Sequence, residues 1–466
     1  MKKKLLIALS YVLILALGIV GTMAYLTDKD EVNNTFLLSE NIDINLDEEQ
    51  VVKKDDDYVG TGVREENGNT YPEVYPGAVM PKDPTITVLP GEDVYVRAKV
   101  TIPNGANWLN LLADEYDDAF RVLVVDTIGE GWSIVDTEVK GDDVTIVLLQ
   151  EKRLAKDDKS VIFTTVEIPG WFEWNHMQEV GGTNMSFDMD VIAEAIQAAG
   201  MSSAKVAFAR NDGDTVAKDA ASLADALDAA KEGDKIVLED ADFGTVPVDA
   251  SLKGVTIDAN GANARFNIQP TASLTDVTFT DLDVTFTDSS SAYVDGGVIN
   301  IDAGATVKNL VIEDVTINGG GGRSSIVGNS EPSAEITIKN SELIGTKYVV
   351  YGSAPAAGVT LEGNTVKNIE SWVIMENAGD AVGAKLTING NTFDNCTGGI
   401  AKYLGSTQPA GATTVFTNNT LTNCTGHDGN DAKWFTIPAD AATILVDNNT
   451  LDGAAFVPGV AQGLGK

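Results

Sequence analysis

The chain has 466 residues, with 69 acidic side chains against 32 basic ones and a formal net charge of −37. A surplus of that size repels the phosphates of nucleic acid and of anionic lipid, and so excludes both as partners. Two His and two Cys are too few for a His-rich zinc site or a disulfide framework, and a 43% hydrophobic share suits a folded chain of two or three domains.

Lys2, Lys3 and Lys4 precede an apolar run from Leu5 to Val20, followed by the small-residue stretch Gly21-Thr22-Met23-Ala24. This is the layout of a secretory signal peptide over residues 1–24, cut between Ala24 and Tyr25. The alternative is an uncleaved anchor. The expected mature protein is exported, in the extracellular matrix or at the cell surface, with signal peptidase as its first partner.

Residues 25–203 read as one β-rich domain. Thr85-Ile86-Thr87-Val88 and Val94 to Val100 alternate with period two, which places Arg97 and Lys99 opposite Val96, Ala98 and Val100. Further strands fall at 133–135, 144–148 and 160–163, and a helix is expected near 108–120. Many strands with one or two helices suggest a β-sandwich or jelly roll. Ile42-Asp43-Ile44-Asn45-Leu46 also alternates, so Ile42, Ile44 and Leu46 can form a strand. Alternation alone leaves open whether that strand pairs within its own domain or is donated to another subunit.

Several segments of this half carry a resemblance. Ala24-Tyr25-Leu26-Thr27-Asp28, Val32-Asn33-Asn34-Thr35-Phe36, Tyr75-Pro76-Gly77-Ala78-Val79-Met80-Pro81-Lys82-Asp83-Pro84, and Phe163-Thr164-Thr165-Val166-Glu167-Ile168-Pro169 come in the order seen in TasA/camelysin-type exported proteins. The resemblance covers roughly residues 1–203. It implies a biofilm-matrix or fibre subunit whose N-terminal strand completes a neighbour, with itself or other TasA-like subunits as partners. It also raises a camelysin-like protease. The chain has no His-Glu-x-x-His, and its two histidines, His176 and His427, lie in different domains, so zinc proteolysis is discounted and no metal site is expected.

After a composition change near 200–204, Ser222 to Lys231 reads as a helix capped by Ser222, and Lys235-Ile236-Val237-Leu238 as a strand. This order resembles the N-terminal cap of right-handed parallel β-helices. Residues 204–466 then repeat with a drifting period. Aligning Asp281, Asp314, Asn340, Asn364, Asn391, Asn419 and Asn449 gives coils within the solenoid range. An amide ladder through Asn340, Asn364, Asn391, Asn419 and Asn449 follows from stacking at about 4.8 Å. A second column is Asn368, Asn395 and Asn423. The fold class is therefore all-β: a sandwich followed by a single-stranded right-handed parallel β-helix with a capping helix.

Cys396 and Cys424 each lie five residues after a ladder Asn, which stacks them on adjacent coils, either bridged or as buried thiols. Tyr348, Tyr351, Trp372, Tyr403 and Trp434, with Glu376 and Lys402 among them, recur at related offsets. Rings with polar neighbours suit sugar binding, and a matrix or cell-surface polysaccharide would be the ligand. The same spacing is compatible with rings that fill the bore. His427 and Asp428 add an acid–base suggestion. Parallel β-helices resemble pectin-lyase-like enzymes as well as adhesins. Only three Arg occur in this half, and no carboxylate pair occupies one column, so the expectation is a structural or adhesive protein without a cofactor. A polysaccharide lyase or glycoside hydrolase is the alternative. Both halves are acidic, with 36 acids against 13 bases over 25–203 and 33 against 16 over 204–466. That makes calcium-assisted assembly a further expectation.

Overall fold

The computed structural model describes residues 42–112, 127–182, 186, 188–239, 242–286, 297–320, 325–352, 357–376, 385–403, 413–430, 433–437 and 444–462. The cleavage site at Ala24 and Tyr25 and the apolar run before it lie outside the described residues. Among those described, no helix is long and apolar enough to cross a membrane.

The N-terminal half is a two-sheet sandwich. One sheet has the order β2-β1-β4-β8, built from β1 (Ile44–Lys54), β2 (Asp57–Glu65), β4 (Thr85–Val88) and β8 (Lys159–Val161). The other has the order β10-β5-β7-β6, from β5 (Val94–Ile102), β6 (Trp132–Lys140), β7 (Asp143–Gln150) and β10 (Asp190–Gln197). A short pair, β3 (Val79–Pro81) with β9 (Thr165–Glu167), flanks them. Period-two alternation sends Val96, Ala98 and Val100 into a core shared with Ile86, Ile146, Leu148 and Phe163. Helix α1 (Gly105–Leu112) starts earlier than expected and seats Trp108 on Phe172, ring centroids 5.5 Å apart. His176 lies in helix α2 (Trp174–Gly181), where its Nδ1 accepts the Glu173 N–H at 3.0 Å.

Of the two pairings left open for the strand at Ile42, Ile44 and Leu46, the single chain shows the intramolecular one, and residues 25–41 of the candidate donor lie outside the described residues. Ile44 and Leu46 lie in β1 and pair with Val88 and Ile86 of their own β4. Their side chains pack on the domain's own core, and Ile42 precedes the strand, exposed. The intramolecular pairing already satisfies the backbone groups that an exchanged strand would use.

Two helices join the halves. α3 (Ala204–Asp212) follows the composition change near 200–204, and its N-cap Ser203 accepts the Val206 N–H at 3.2 Å. α4 (Ala220–Ala229) is the capping helix, but its N-cap is Asp219; Ser222 is the third helical residue and donates its N–H back to Asp219 at 2.8 Å. Asp219 wins because its carboxylate accepts both backbone and hydroxyl donors of Ser222. α3 is a wedge. Ala204, Ala207 and Phe208 pack on Tyr95, Leu149 and Ala198 of the sandwich, while Val206 and Ala209 pack on Val237 of the solenoid. Over Phe208, 4.4 Å from its centroid, lies the buried Arg97 guanidinium, which donates to Glu194 at 2.7 Å and to both oxygens of Asp212. Lys205 reaches Asp258 and Asp281 on the first coils at 3.1 and 2.7 Å.

The C-terminal half is a right-handed parallel β-helix. Each complete coil runs through a first face, a corner, a second face, a corner and a third face. One coil is Glu335–Lys339, Glu342–Ile344 and Tyr348–Gly352; the next is Gly358–Glu362, Thr365–Lys367 and Ile374–Glu376. The first face stacks ten strands, which makes a rod roughly 40 Å long. On the third face two consecutive residues of each coil turn inward: Ile326-Val327, Val349-Val350, Val373-Ile374, Ile400-Ala401 and Trp434-Phe435 all belong to the central core.

The corners explain the Asx-rich repeat and correct its alignment. Asp281, Asp314, Asn340, Gly363, Gly390, Asn418 and Asn448 form one left-handed column, with φ between 49° and 66°. Gly345, Asn368, Asn395, Asn423 and Asp452 form the other. Only Gly, Asn and Asp adopt this backbone without a penalty of about 1–2 kcal/mol. The buried ladder is the next position: Ser341, Asn364, Asn391, Asn419 and Asn449. Asn364 Nδ2 donates to Asn391 Oδ1 at 2.9 Å, Asn391 to Asn419 at 3.1 Å, and Asn419 to Asn449 at 2.9 Å. The same oxygens accept the backbone N–H of the preceding rung. Asn340 is not a rung. It stands one residue earlier, on the exposed corner, and Ser341 holds its place in the ladder.

Asn391→Ala would orphan the Asn364 amide and the Leu361 carbonyl, at about 1–3 kcal/mol for each buried group. Urea unfolding should show a loss of that order for Asn391→Ala, whereas Asn340→Gly, which copies Gly363 and Gly390, should stay within about 1 kcal/mol. The Arg97 hydrogen bond holds Asp212 below the usual carboxylate range. Its stabilisation is therefore complete above the ordinary Asp value near 4 and is lost as pH falls through the depressed folded value. Asp212→Asn should flatten the acid limb of a thermal-melt pH profile.

Candidate functional site

The third face carries the chemistry that the outer surface of the rod concentrates. Because two residues per coil point inward, two outward columns flank them. One runs Ser325, Tyr348, Trp372, Gly399, Lys433; the other runs Gly328, Tyr351, Met375, Lys402. Tyr348, Tyr351 and Trp372 form a cluster separate from the central core, with Met375 packed against it. Tyr348 and Tyr351 meet at 5.0 Å between centroids. Trp372 lies flat on His427, at 4.8 Å and 12° between planes. Gly399, at φ 88°, makes the seat: a Cβ there would stand 2.8 Å from the Trp372 ring. Lys402 Nζ lies 5.9 Å from that ring, and Lys347 Nζ 5.5 Å from Tyr348. Lys402, Lys347, Lys433 and His427 are all half-buried.

Two atoms in the first column are buried without a hydrogen-bond partner: Ser325 Oγ and Trp372 Nε1. An orphaned buried donor costs about 1–3 kcal/mol, so such groups call for a water or a ligand. Thr346 Oγ1, at the corner before Tyr348, is a third.

The expected sugar-binding set is therefore partly assembled. Tyr351, Trp372 and Lys402 come together, although Trp372 is only 2% exposed and Tyr351 9%, so their ring faces are not open platforms. Trp434 does not belong. It aligns with Val373 and Ile400, one position from the Trp372 column, and fills the bore against Phe456, centroids 4.8 Å apart. A one-residue offset moves a side chain to the opposite face of a strand. Glu376 and Tyr403 fall in register with Gly352, but their side chains, like that of Asp428, lie outside the described residues. Sequence reasoning named Tyr348 but missed Lys347 and Ser325; the recurring inward doublet was the signal that would have placed them.

Cys396 and Cys424 stack on adjacent coils as free, buried thiols. The Cys396 N–H donates to Cys424 Sγ at 3.4 Å. Its hydrogen bond with Cys424 and its burial push the Cys396 thiol well above its ordinary value. No three of His, Cys, Asp and Glu converge in a metal-ligating cluster among the described residues.

No protein-family model matches the chain, and no curated protein does. Among solved structures, the alginate lyase from Paenibacillus sp. str. FPU-7 is similar to it over 53% of this chain and 97% of that one, at 17% identity and a TM-score of 0.29. A likeness of that size concerns the solenoid trace. That protein is named as an enzyme, contrary to the expectation of no activity here, and a likeness at this TM-score assigns this chain no activity of its own. Scarcity of Arg, His and Cys does not decide the matter, since a single lysine or imidazole can move a proton.

Burial with a high pKa leaves almost no thiolate at Cys396. Alkylation of the native protein should leave both cysteines unmodified, and unfolding without reductant should label both. A bridged pair would stay unlabelled until reductant is added.

Proposed function

We propose that the protein is exported and engages an acidic polysaccharide along the third face of its β-helix. The observation that carries this reading is the outward column in which the unpartnered Ser325 Oγ and Trp372 Nε1 flank Tyr348, bordered by Lys347, Lys402, Lys433 and His427. In a chain of net charge −37, three lysines gathered on one face select an anionic ligand. Uronate carboxylates pair with the bordering lysines, and sugar hydroxyls supply partners for the unpaired donors. Export is supported by the Lys2–Lys4 and Leu5–Val20 layout. Placement in a matrix or at a surface is supported by the TasA/camelysin-type resemblance of residues 1–203, with the sandwich rigidly carrying the rod through α3.

Cleavage at the same face is favoured by Lys402 and His427, which both lie close to the Trp372 ring and are of the types that take and give a proton. The protein would then act as a polysaccharide lyase on the chain it binds.

Affinity electrophoresis in gels containing a polyuronate or a neutral β-glucan tests the reading. The wild type should be retarded by the polyuronate, with Trp372→Ala and Lys402→Ala each weakening retardation about tenfold, the effect of about 1.4 kcal/mol. Absence of retardation would overturn the proposal, and equal retardation in both gels would remove its anionic specificity. Ultraviolet absorbance from unsaturated sugar ends separates cleavage from binding.

A further inference from the structure

In the sandwich, a lysine and an asparagine meet at the two oxygens of one buried glutamate. Glu48, on β1, is buried, with a side chain only 7% exposed. One of its oxygens accepts Lys82 Nζ at 2.7 Å, and the other accepts Asn69 Nδ2 at 2.9 Å. Lys82, between β3 and β4, has a side chain only 11% exposed. Asn69 follows β2. Its carboxamide is held from both ends: Nδ2 also donates to the Glu49 carbonyl at 2.8 Å, and Oδ1 accepts the Val51 N–H at 2.7 Å. Tyr71 covers the group. Burial, with the charges of Glu48 and Asp83, raises its hydroxyl far above the ordinary value, and that hydroxyl donates to the Pro81 carbonyl at 2.6 Å.

An ion pair alone does not account for this set. A buried Lys–Glu pair needs further hydrogen bonds, but it does not need a carboxamide fixed by a backbone N–H on its carbonyl oxygen. That N–H stands where charge develops when a nucleophile adds to the Asn69 carbonyl carbon, which is the role of an oxyanion donor. The carboxylate between Nζ and Nδ2 stands where a proton must pass from the attacking nitrogen to the leaving one.

We propose that Lys82 and Asn69 form an isopeptide bond with Glu48 as the proton shuttle. Lys82 Nζ gives a proton to Glu48 and adds to Asn69 Cγ, while the Val51 N–H stabilises the oxyanion. Glu48 returns the proton to Nδ2 and the Cγ–Nδ2 bond breaks. The second proton lost by Nζ ends on the same leaving nitrogen. The products are a secondary amide and one ammonium ion, and Glu48 ends as it began. No oxidant, metal or cofactor enters the balance. The bond ties the segment after β2 to the start of β4, closing the loop that carries Tyr71 and Tyr75 and fixing it against β1.

Intact-mass spectrometry of the folded full chain tests this, with Lys82→Arg and Glu48→Gln of the same length alongside. The wild type should be lighter than its sequence by one ammonia, and digestion should yield a branched peptide joining residues 69 and 82. Lys82→Arg keeps the ion pair and should fold, yet show the unmodified mass, as should Glu48→Gln. An unmodified wild-type mass would overturn the proposal. So would ammonia loss that persists in Lys82→Arg, because a succinimide at Asn67 or Asn69 would then be its source.

Discussion

The hydrogen bonding between coils, repeated at about 4.8 Å along the rod, is the constraint on which the rest of the structure depends. Once one coil is placed, each neighbour is fixed in register by backbone pairing on three faces. The corners must then turn in the left-handed region at the same two places in every coil, which restricts them to Asn, Asp and Gly. The buried Asn rungs exist because the backbone amides and carbonyls at the first corner need partners inside a dry wall, and an amide side chain offers both a donor and an acceptor. The same stacking puts Cys396 on Cys424 and Trp372 under His427.

The two halves are not beads on a string. α3 is amphipathic on two sides, because the sandwich and the solenoid each need an apolar cover, and it supplies both. Arg97 is the polar counterpart. It is buried, but three carboxylate oxygens and the Phe208 ring satisfy its donors and its charge. The direction of the rod is therefore fixed relative to the sandwich, which matters for any ligand laid along the third face. A surface so negative elsewhere makes the few half-buried cations of that face a distinct electrostatic feature.

Polar groups without partners and polar groups with too many constraints are informative in different ways. Trp372 Nε1 and Ser325 Oγ lack partners and point to something that would supply them. Glu48, Asn69 and Lys82 are fully engaged, and the pattern of engagement suggests chemistry among themselves. One arrangement concerns recognition and the other durability, and they sit in separate domains.

Much of the fold was legible in the sequence, because periodicity is a local property. The alternation of Val94 to Val100, the stripe in Leu223, Ala226 and Leu227, and the Asx-rich repeat each reflect one strand, one helix or one corner. What the sequence left undetermined was the offset of one residue. Asn340 against Asn364, and Trp434 against Trp372, look equivalent along the chain. In the structure, Asn340 is an exposed corner where Asn364 is a buried rung, and Trp434 fills the bore where Trp372 lies outside it. The sequence by itself determined the kinds of element and their order, since these depend on side chains a few positions apart. Tertiary structure alone decided which face each residue occupies and which distant groups meet, as Glu48, Asn69 and Lys82 do, because a strand reverses its faces with every residue and only pairing to its neighbours fixes the count.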